Sequence, residues 1–248
     1  MRDATPTHLA ARCHGRAALF MLVLLAGNAR AVGWGGTFGF GSDNIYHGLS
    51  LTADRPAWLA DLHYGIGTGW LVGIGASAER PAGQSAAARI TAYLDRRWQL
   101  DESWAAKVGA VHYASPWNRY SDTLRYNELN AAIGFRGRVR VSFAVSPDYP
   151  GTYIGNRARS GVAAWTDLTF QQPLVGRLGL DVGFGYADLE RTGWHNHRYG
   201  NAGLHYGVGD VYVYLARIWT DPIQEPYPAS AQPHARWVTS LIWSFDAP

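Results

Sequence analysis

The sequence predicts an all-β fold, an antiparallel up-and-down transmembrane β-barrel of about 12 strands. Three observations lead to this prediction. Apolar and polar residues alternate with a period of two along most of the chain, which is typical of strands with one apolar face. The 248 residues include 29 Gly, 11 Trp and 14 Tyr, and no apolar run is long enough for a membrane-spanning helix. Short and long connections alternate between the strands, as they do in outer-membrane barrels.

The first 31 residues are expected to be a signal peptide. A basic start precedes a short apolar stretch, and Ala29–Ala31 has the form of a cleavage site. The predicted domains are therefore a leader at 1–31 and one barrel at 32–248. The leader contains the single cysteine, four of the 22 basic and one of the 19 acidic residues, so the barrel carries 18 of each sign. This balance argues against nucleic acid as a partner.

Each strand is predicted from its own alternating stretch. In the second strand, Trp58, Leu62 and Ile66 share one apolar face, and Asp61 and His63 lie on the other. The stretches are close to the ~9–11 residues that a tilted strand needs to cross a bilayer. The predicted strands are 33–42, 57–67, 70–79, 86–98, 103–113, 125–136, 138–147, 162–171, 177–187, 199–208, 211–219 and 236–245.

The connections differ in length on the two sides of the barrel. Short turns such as Thr68-Gly69 would face the periplasm, and the loops Asp148–Gly161 and Thr220–Ala235 would be extracellular. A soluble β-sandwich or lipocalin-like barrel is the alternative, because a period of two does not reveal which face is inside. Aromatic residues near the short turns favour the membrane barrel, since they form girdles at membrane interfaces. They are Trp70, Trp98, Trp104, Phe135, Phe170, Tyr206, Tyr212 and Phe245.

The last predicted strand, 236–245, ends on an aromatic residue and resembles the terminal strand signal of outer-membrane proteins. We therefore expect the barrel-assembly machinery to be a partner during biogenesis and outer-membrane lipid to surround the barrel. Asp246–Pro248 extend beyond this strand, whereas that signal usually ends the chain. Together with the leader, the strands predict the outer membrane of a Gram-negative bacterium as the location.

A motif just after the leader resembles the opening of the Gcw_chp family, proteobacterial exported proteins of unknown function. The motif is Ser42–Thr52 followed by Arg55-Pro56-Ala57, with Asn44, His47 and Leu51 where the family carries an aromatic residue, an arginine and a glutamine. His112–Pro116 followed by Tyr126–Leu129 is similar to the family's tyrosine-proline loop and its later glutamate. The resemblance covers most of residues 35–221. It implies an outer-membrane-type barrel and no established activity.

The polar face of the strands is interpreted as the lining of a lumen. It carries both charge signs, which argues against a strongly ion-selective pore and predicts passive permeation or binding of a small polar solute. The alternatives are a plugged structural barrel and an outer-membrane lipid-modifying hydrolase. The candidate lining residues are Asp61, His63, Arg89, Asp95, Arg97, Lys107, Glu128, Arg138, Arg140, Asp167, Asp181, His205 and Arg217.

Two side-chain pairs follow from symmetric registers at the turns. If Trp98 pairs with Trp104, Asp95 faces Lys107, the only lysine in the chain, and the two would form a cross-strand ion pair. The same reasoning places Asp167 opposite Asp181. Like charges in that position are unfavourable, so an arginine of the preceding strand, a cation or a shared proton should neutralise them.

Metal and catalytic sites have weak signals. His195 and His197 would form half of a metal site if both lay on one strand, but no third ligand is visible, and we predict neither a metal nor another cofactor. His112 falls on the apolar face with Ser115 nearby, which is the one arrangement that fits a lipid hydrolase. No strong nucleophile motif is present, so no catalytic residue is assigned.

Overall fold

The computed structural model describes residues 33–80, 86–118, 124–154, 157–222 and 235–246, so the expected leader lies outside the described residues. Fourteen strands are present in these ranges. They are β1 (Gly33–Gly41), β2 (Ile45–Tyr46), β3 (Leu49–Ser50), β4 (Ala57–Ile66), β5 (Trp70–Glu79), β6 (Ala87–Gln99), β7 (Trp104–Ala114), β8 (Tyr126–Phe135), β9 (Val139–Ile154), β10 (Arg157–Pro173), β11 (Leu178–Asp188), β12 (His197–Val208), β13 (Val211–Thr220) and β14 (Ala235–Asp246). A 3-10 turn, Glu190–Thr192, follows β11.

Twelve of these strands form one closed antiparallel barrel, and β2 and β3 form a separate small hairpin. Neighbours along the chain pair throughout the barrel, and β1 closes it against β14 with Gly35 opposite Asp246 and Gly41 opposite Ser240. The predicted fold class and strand number are confirmed. Closure leaves no sheet edge, which is the condition for strands to cross a bilayer.

The predicted loop Asp148–Gly161 is wrong for most of its length. β9 continues to Ile154, and β10 already begins at Arg157, with Tyr149 opposite Gly161. Two register shifts interrupt this pairing. Such β-bulges accommodate Pro150, which lacks a backbone donor, so the alternation fades although the strands continue. The hairpin extends the barrel wall on the side of the longer connections.

Alternation along the strands separates an apolar outer face from a polar lumen. Trp34, Ile74 and Leu129 are all more than half exposed on the outer face. Tyr212 is the exception to the predicted aromatic girdle, because it points inward and is 6% exposed. The apolar outer face is the one that a bilayer would cover. No helix among the described residues is long and apolar enough to cross a membrane.

Candidate functional site

Most of the predicted lining residues point into the lumen of the barrel. Their positions share the inward parity of their strands, and the strand pairing brings the charges of β6 to β10 onto one wall. The inward residues are Asp61, His63, Arg89, Asp95, Arg97, Lys107, Glu128, Arg140, Asp167, Asp181 and His205.

Two predicted lining residues lie elsewhere. Arg217 has outward parity between Leu215 and Trp219, and its guanidinium lies 5.6 Å from the ring centre of Trp237 on the outer face. The prediction failed because a charged side chain was assumed to mark the polar face, whereas an arginine can lie against an aromatic ring at the membrane surface. Arg138 is exposed in the turn that precedes β9, at the mouth of the lumen rather than in its wall.

The connection between β1 and β4 folds back into the barrel. We call residues 42–56 the inner loop; it contains the β2–β3 hairpin, in which Ile45 pairs with Ser50. At its tip, His47 and Gly48 have positive φ angles of 46° and 81°. A side chain at Gly48 would overlap Tyr199 and would place a Cβ atom 2.7 Å from Thr220 Oγ1. The tip is therefore fitted closely against β12 and β13.

A buried carboxylate fixes the base of the inner loop. Asp43 accepts hydrogen bonds from Ser50 Oγ at 2.6 Å and from Thr52 Oγ1 at 2.8 Å, and Arg236 of β14 donates to it at 3.1 Å. Burial raises the pKa of Asp43, while these hydroxyl and guanidinium groups act in the opposite direction. Asn44 adds a hydrogen bond of 2.7 Å to the carbonyl of Ala78. The loop is therefore held to β14 on one side of the β1–β4 pair and to β5 on the other.

His47 connects the inner loop to the far wall. Its ring stacks on Trp165 at 4.8 Å, and its Nδ1 lies 2.7 Å from the hydroxyl of Tyr199. Tyr199 donates its own proton to Asp167 at 2.6 Å, so we assign Nδ1 of His47 as the donor to Tyr199. Burial, followed by His197 and Arg89, lowers the pKa of His47 well below its usual value. The histidine is therefore neutral at physiological pH.

Beneath the inner loop lies a cavity of about 260 Å³. Each of its carboxylates accepts a hydrogen bond from a tyrosine hydroxyl. The donor–acceptor pairs are Tyr93 and Asp61 at 2.8 Å, Tyr199 and Asp167 at 2.6 Å, and Tyr46 and Glu128 at 3.2 Å. These tyrosines are not among the predicted lining residues, although Tyr93 and Tyr199 have the inward parity that identifies a lumen position.

Four consecutive strands contribute charges of alternating sign to this cavity. They are Lys107 on β7, Glu128 on β8, Arg140 on β9 and Asp167 on β10. Glu128 lies within Coulombic range of Lys107 and Asp167, and Asp167 within range of Arg140. Arg140 also donates to Thr169 Oγ1 at 3.3 Å. The cavity thus presents donors and acceptors of both charges on one wall.

The predicted contact between Asp95 and Lys107 is confirmed, but its register is wrong by two residues. Arg97 lies directly opposite Lys107, and Asp95 lies opposite Gly109. Lys107 Nζ is nevertheless 3.5 Å from Asp95 Oδ1, and Arg97 is 3.6 Å from Asp95 Oδ2. A fully buried carboxylate therefore lies between two cations. Trp98 pairs with Ala106 rather than with Trp104, which accounts for the difference in register.

The predicted opposition of Asp167 and Asp181 is wrong. Asp167 lies opposite Gly185, and Asp181 lies opposite Gln171, because β10 continues to Pro173 and the turn is centred two residues later, which shifts each pairing partner by four. The two carboxylates have different partners. Tyr199 donates to Asp167, and His205 Nδ1 forms a short hydrogen bond with Asp181. No shared neutralising group is required.

His197 belongs to the lumen wall, where its Nε2 donates to the carbonyl of His47 at 3.0 Å. Its role in the structure is therefore to hold the tip of the inner loop. His195 precedes β12 in the connection from β11. Across the ranges that the structure describes, no group of three His, Cys, Asp or Glu side chains is arranged to hold a metal ion.

His112 and Ser115 do not form the arrangement that a hydrolase would need. His112 is exposed on the outer face, where Nδ1 lies 2.9 Å from Asn127 Oδ1. Asn127 donates in turn to Asp148 at 2.7 Å. Ser115 is 1% exposed and therefore offers no accessible nucleophile beside the imidazole.

Solved outer-membrane barrels share this fold. The NanC porin matches with a TM-score of 0.55 at 9% identity, over 87% of this chain and 100% of that chain. The COG4313 outer membrane channel from Pseudomonas putida F1 matches with a TM-score of 0.55 at 11% identity, over 89% and 98%. The KdgM porin, also known in complex with disordered oligogalacturonate, matches with a TM-score of 0.50 at 10% identity, over 85% and 99%. At these identities the likeness shows the fold alone.

No family model and no curated protein matches the chain. The resemblance of the inner loop to the opening of the Gcw_chp family therefore stays a prediction. The fold, in contrast, is that of outer-membrane porins and channels.

Proposed function

We propose that this protein is an outer-membrane channel through which a small polar solute permeates, with the inner loop narrowing the passage. The observation that carries the proposal is a charge-lined cavity of about 260 Å³ inside a closed barrel whose outer face is apolar. A general pore needs an open lumen, whereas here the inner loop forms the roof of the cavity. The proposal therefore describes a selective passage. Export by the leader, contact with outer-membrane lipid and insertion by the barrel-assembly machinery belong to the same proposal.

Conductance in planar bilayers tests this function. Purified protein lacking 1–31 is expected to give small, discrete current steps. Replacing Asn44–Thr52 by two glycines is expected to enlarge these steps, because it removes the roof of the cavity and the Asn44 and Thr52 anchors. Glu190→Gln, an exposed change in the connection after β11, is the preparation control and should conduct like the parent protein.

A plugged structural barrel is the second candidate. The complete burial of Ser50 and the hydrogen bonds around Asp43 favour it, because a loop fixed so firmly could close the lumen permanently. Correctly folded parent protein that carries no current would overturn the channel proposal. Current only after removal of Asn44–Thr52 would assign the inner loop as the plug.

A further inference from the structure

The four charged side chains of alternating sign in the cavity do not form ion pairs with one another. Within the described residues, no ion pair joins any two of Lys107, Glu128, Arg140 and Asp167; the ion pair of Lys107 is with Asp95 outside this set. Along their paired strands, Asp167 lies two register positions from Arg140, and Glu128 lies four positions from Lys107 and six from Arg140. The four charges are therefore spread along the wall, where each can form a charge-assisted hydrogen bond with a ligand group.

The tyrosine hydroxyls use only part of the hydrogen-bonding capacity of each carboxylate. Tyr46 donates to Oε2 of Glu128, and Tyr199 donates to Oδ1 of Asp167. A carboxylate oxygen accepts more than one hydrogen bond, and each carboxylate has a second oxygen. Arg140 likewise uses one of its five N–H groups on Thr169 at 3.3 Å. Both signs therefore keep hydrogen-bonding capacity toward the cavity.

A ligand of a single charge would fit this wall poorly. An anion beside Arg140 would be repelled by Asp167, two register positions away on β10, and an anion beside Lys107 would be repelled by Glu128; a cation beside either acid would meet the matching base. The charges that line the cavity are three acidic and three basic, so they sum to zero and give no preference to either sign. A ligand carrying both an ammonium and a carboxylate group would satisfy neighbouring charges at once.

We infer that the cavity binds a small zwitterion of the amino-acid type, its carboxylate beside Lys107 or Arg140 and its ammonium group beside Glu128 or Asp167. The cavity of about 260 Å³ is below the ~300–1,000 Å³ of drug-sized pockets, which restricts the ligand to a compact molecule. The inference rests on the proposed function in that the solute must reach the cavity from the aqueous phase.

Four probes of one shape separate the charge classes. Alanine is the zwitterion, lactate the anion, alaninol the cation and propane-1,2-diol the neutral member. Isothermal titration of the detergent-solubilised barrel lacking 1–31, at millimolar probe concentrations, is expected to show at least tenfold tighter binding of alanine than of the other three. Equal or tighter binding of lactate, alaninol or the diol would overturn the inference, and so would the absence of alanine binding.

Variants in the wall make the test independent of folding defects. Glu128→Gln leaves an excess of positive charge and should shift the preference toward lactate, whereas Arg140→Gln should shift it toward alaninol. Arg217→Gln, the same change on the outer face, should leave the order of the four probes unchanged. Opposite shifts from two variants of one wall do not arise from general destabilisation, and identical shifts would contradict the assignment.

The two proposals fail in different ways. Vesicles that contain the protein and swell equally fast in all four probes would refute zwitterion recognition and leave the channel intact. Alanine binding by titration without current or swelling would refute the channel and leave the binding site intact.

Discussion

Removing Asp95 is expected to destabilise the barrel more than removing Lys107. Asp95 is 0% exposed and lies 3.5 Å from Lys107 and 3.6 Å from Arg97. At an effective dielectric constant of about 20, each of these attractions amounts to roughly 5 kcal/mol before desolvation is counted. Asp95→Asn removes both attractions and leaves Arg97 directly opposite Lys107, two like charges in a confined site. Lys107→Met removes one attraction together with the repulsion between the cations.

The expected loss of unfolding free energy is about 3–5 kcal/mol for Asp95→Asn, the range for breaking a buried pair. For Lys107→Met it is about 1–2 kcal/mol, because Asp95 keeps Arg97 as an ion-pair partner. Urea unfolding of the refolded barrel in lipid vesicles, followed by tryptophan fluorescence, measures both values. Asp188→Asn, an exposed change at the end of β11, is the control and should stay within about 0.5 kcal/mol of the parent. Equal losses for the two lumen variants would refute the argument, because they would show that water screens the cluster.

Three further predictions concern the inner loop and the orientation of the barrel. Gly48→Ala should loosen the inner loop and enlarge the bilayer conductance, because the new methyl group would overlap Tyr199; an unchanged conductance would contradict the fit at the loop tip. The inner loop should remain docked above about pH 6.5, which is the pKa of an exposed histidine. It should be released as the pH falls toward the lower pKa of docked His47, because the histidine of the released loop binds a proton more tightly. Conductance between pH 7.5 and 5 measures this release, and His47→Gln should abolish its pH dependence. A cysteine at Glu190, on the long-loop side, should react with an impermeant thiol reagent on intact cells, whereas one at Asp101 should react only after the outer membrane is opened; the reverse result would invert the topology.

The barrel could be predicted from the sequence because each strand carries its own signal. A period of two repeats along every spanning segment, and the ends of β5, β7 and β13 lie within one residue of their predicted positions. The register could not be predicted as well, since it depends on where the turn closes. The hairpin of β10 and β11 turns two residues later than the sequence analysis assumed, and the resulting shift of four residues in each pairing partner separates Asp167 from Asp181.

The fold of the inner loop could not be predicted from the period-two pattern of the sequence. Its buried residues, among them Asp43, Asn44 and Thr52, are polar and would ordinarily be read as an exposed loop. Their burial depends on partners far away in the sequence, such as Arg236 of β14 and Ala78 of β5. Those partners come within reach only when the barrel closes. A local pattern therefore identifies the motif but not the direction in which it folds.

The glycines of the inner face explain how the lumen holds large aromatic side chains beside its charges. Gly73 lies directly opposite Tyr93, and Gly185 lies directly opposite Tyr199. A Cβ atom at either glycine would overlap the ring of the facing tyrosine. Each ring therefore lies flat over a neighbouring strand, and its hydroxyl reaches a carboxylate of the cavity wall. These glycines of the inner face are thus a requirement of the tyrosines, and the tyrosines in turn set the positions of the acidic groups that face the cavity.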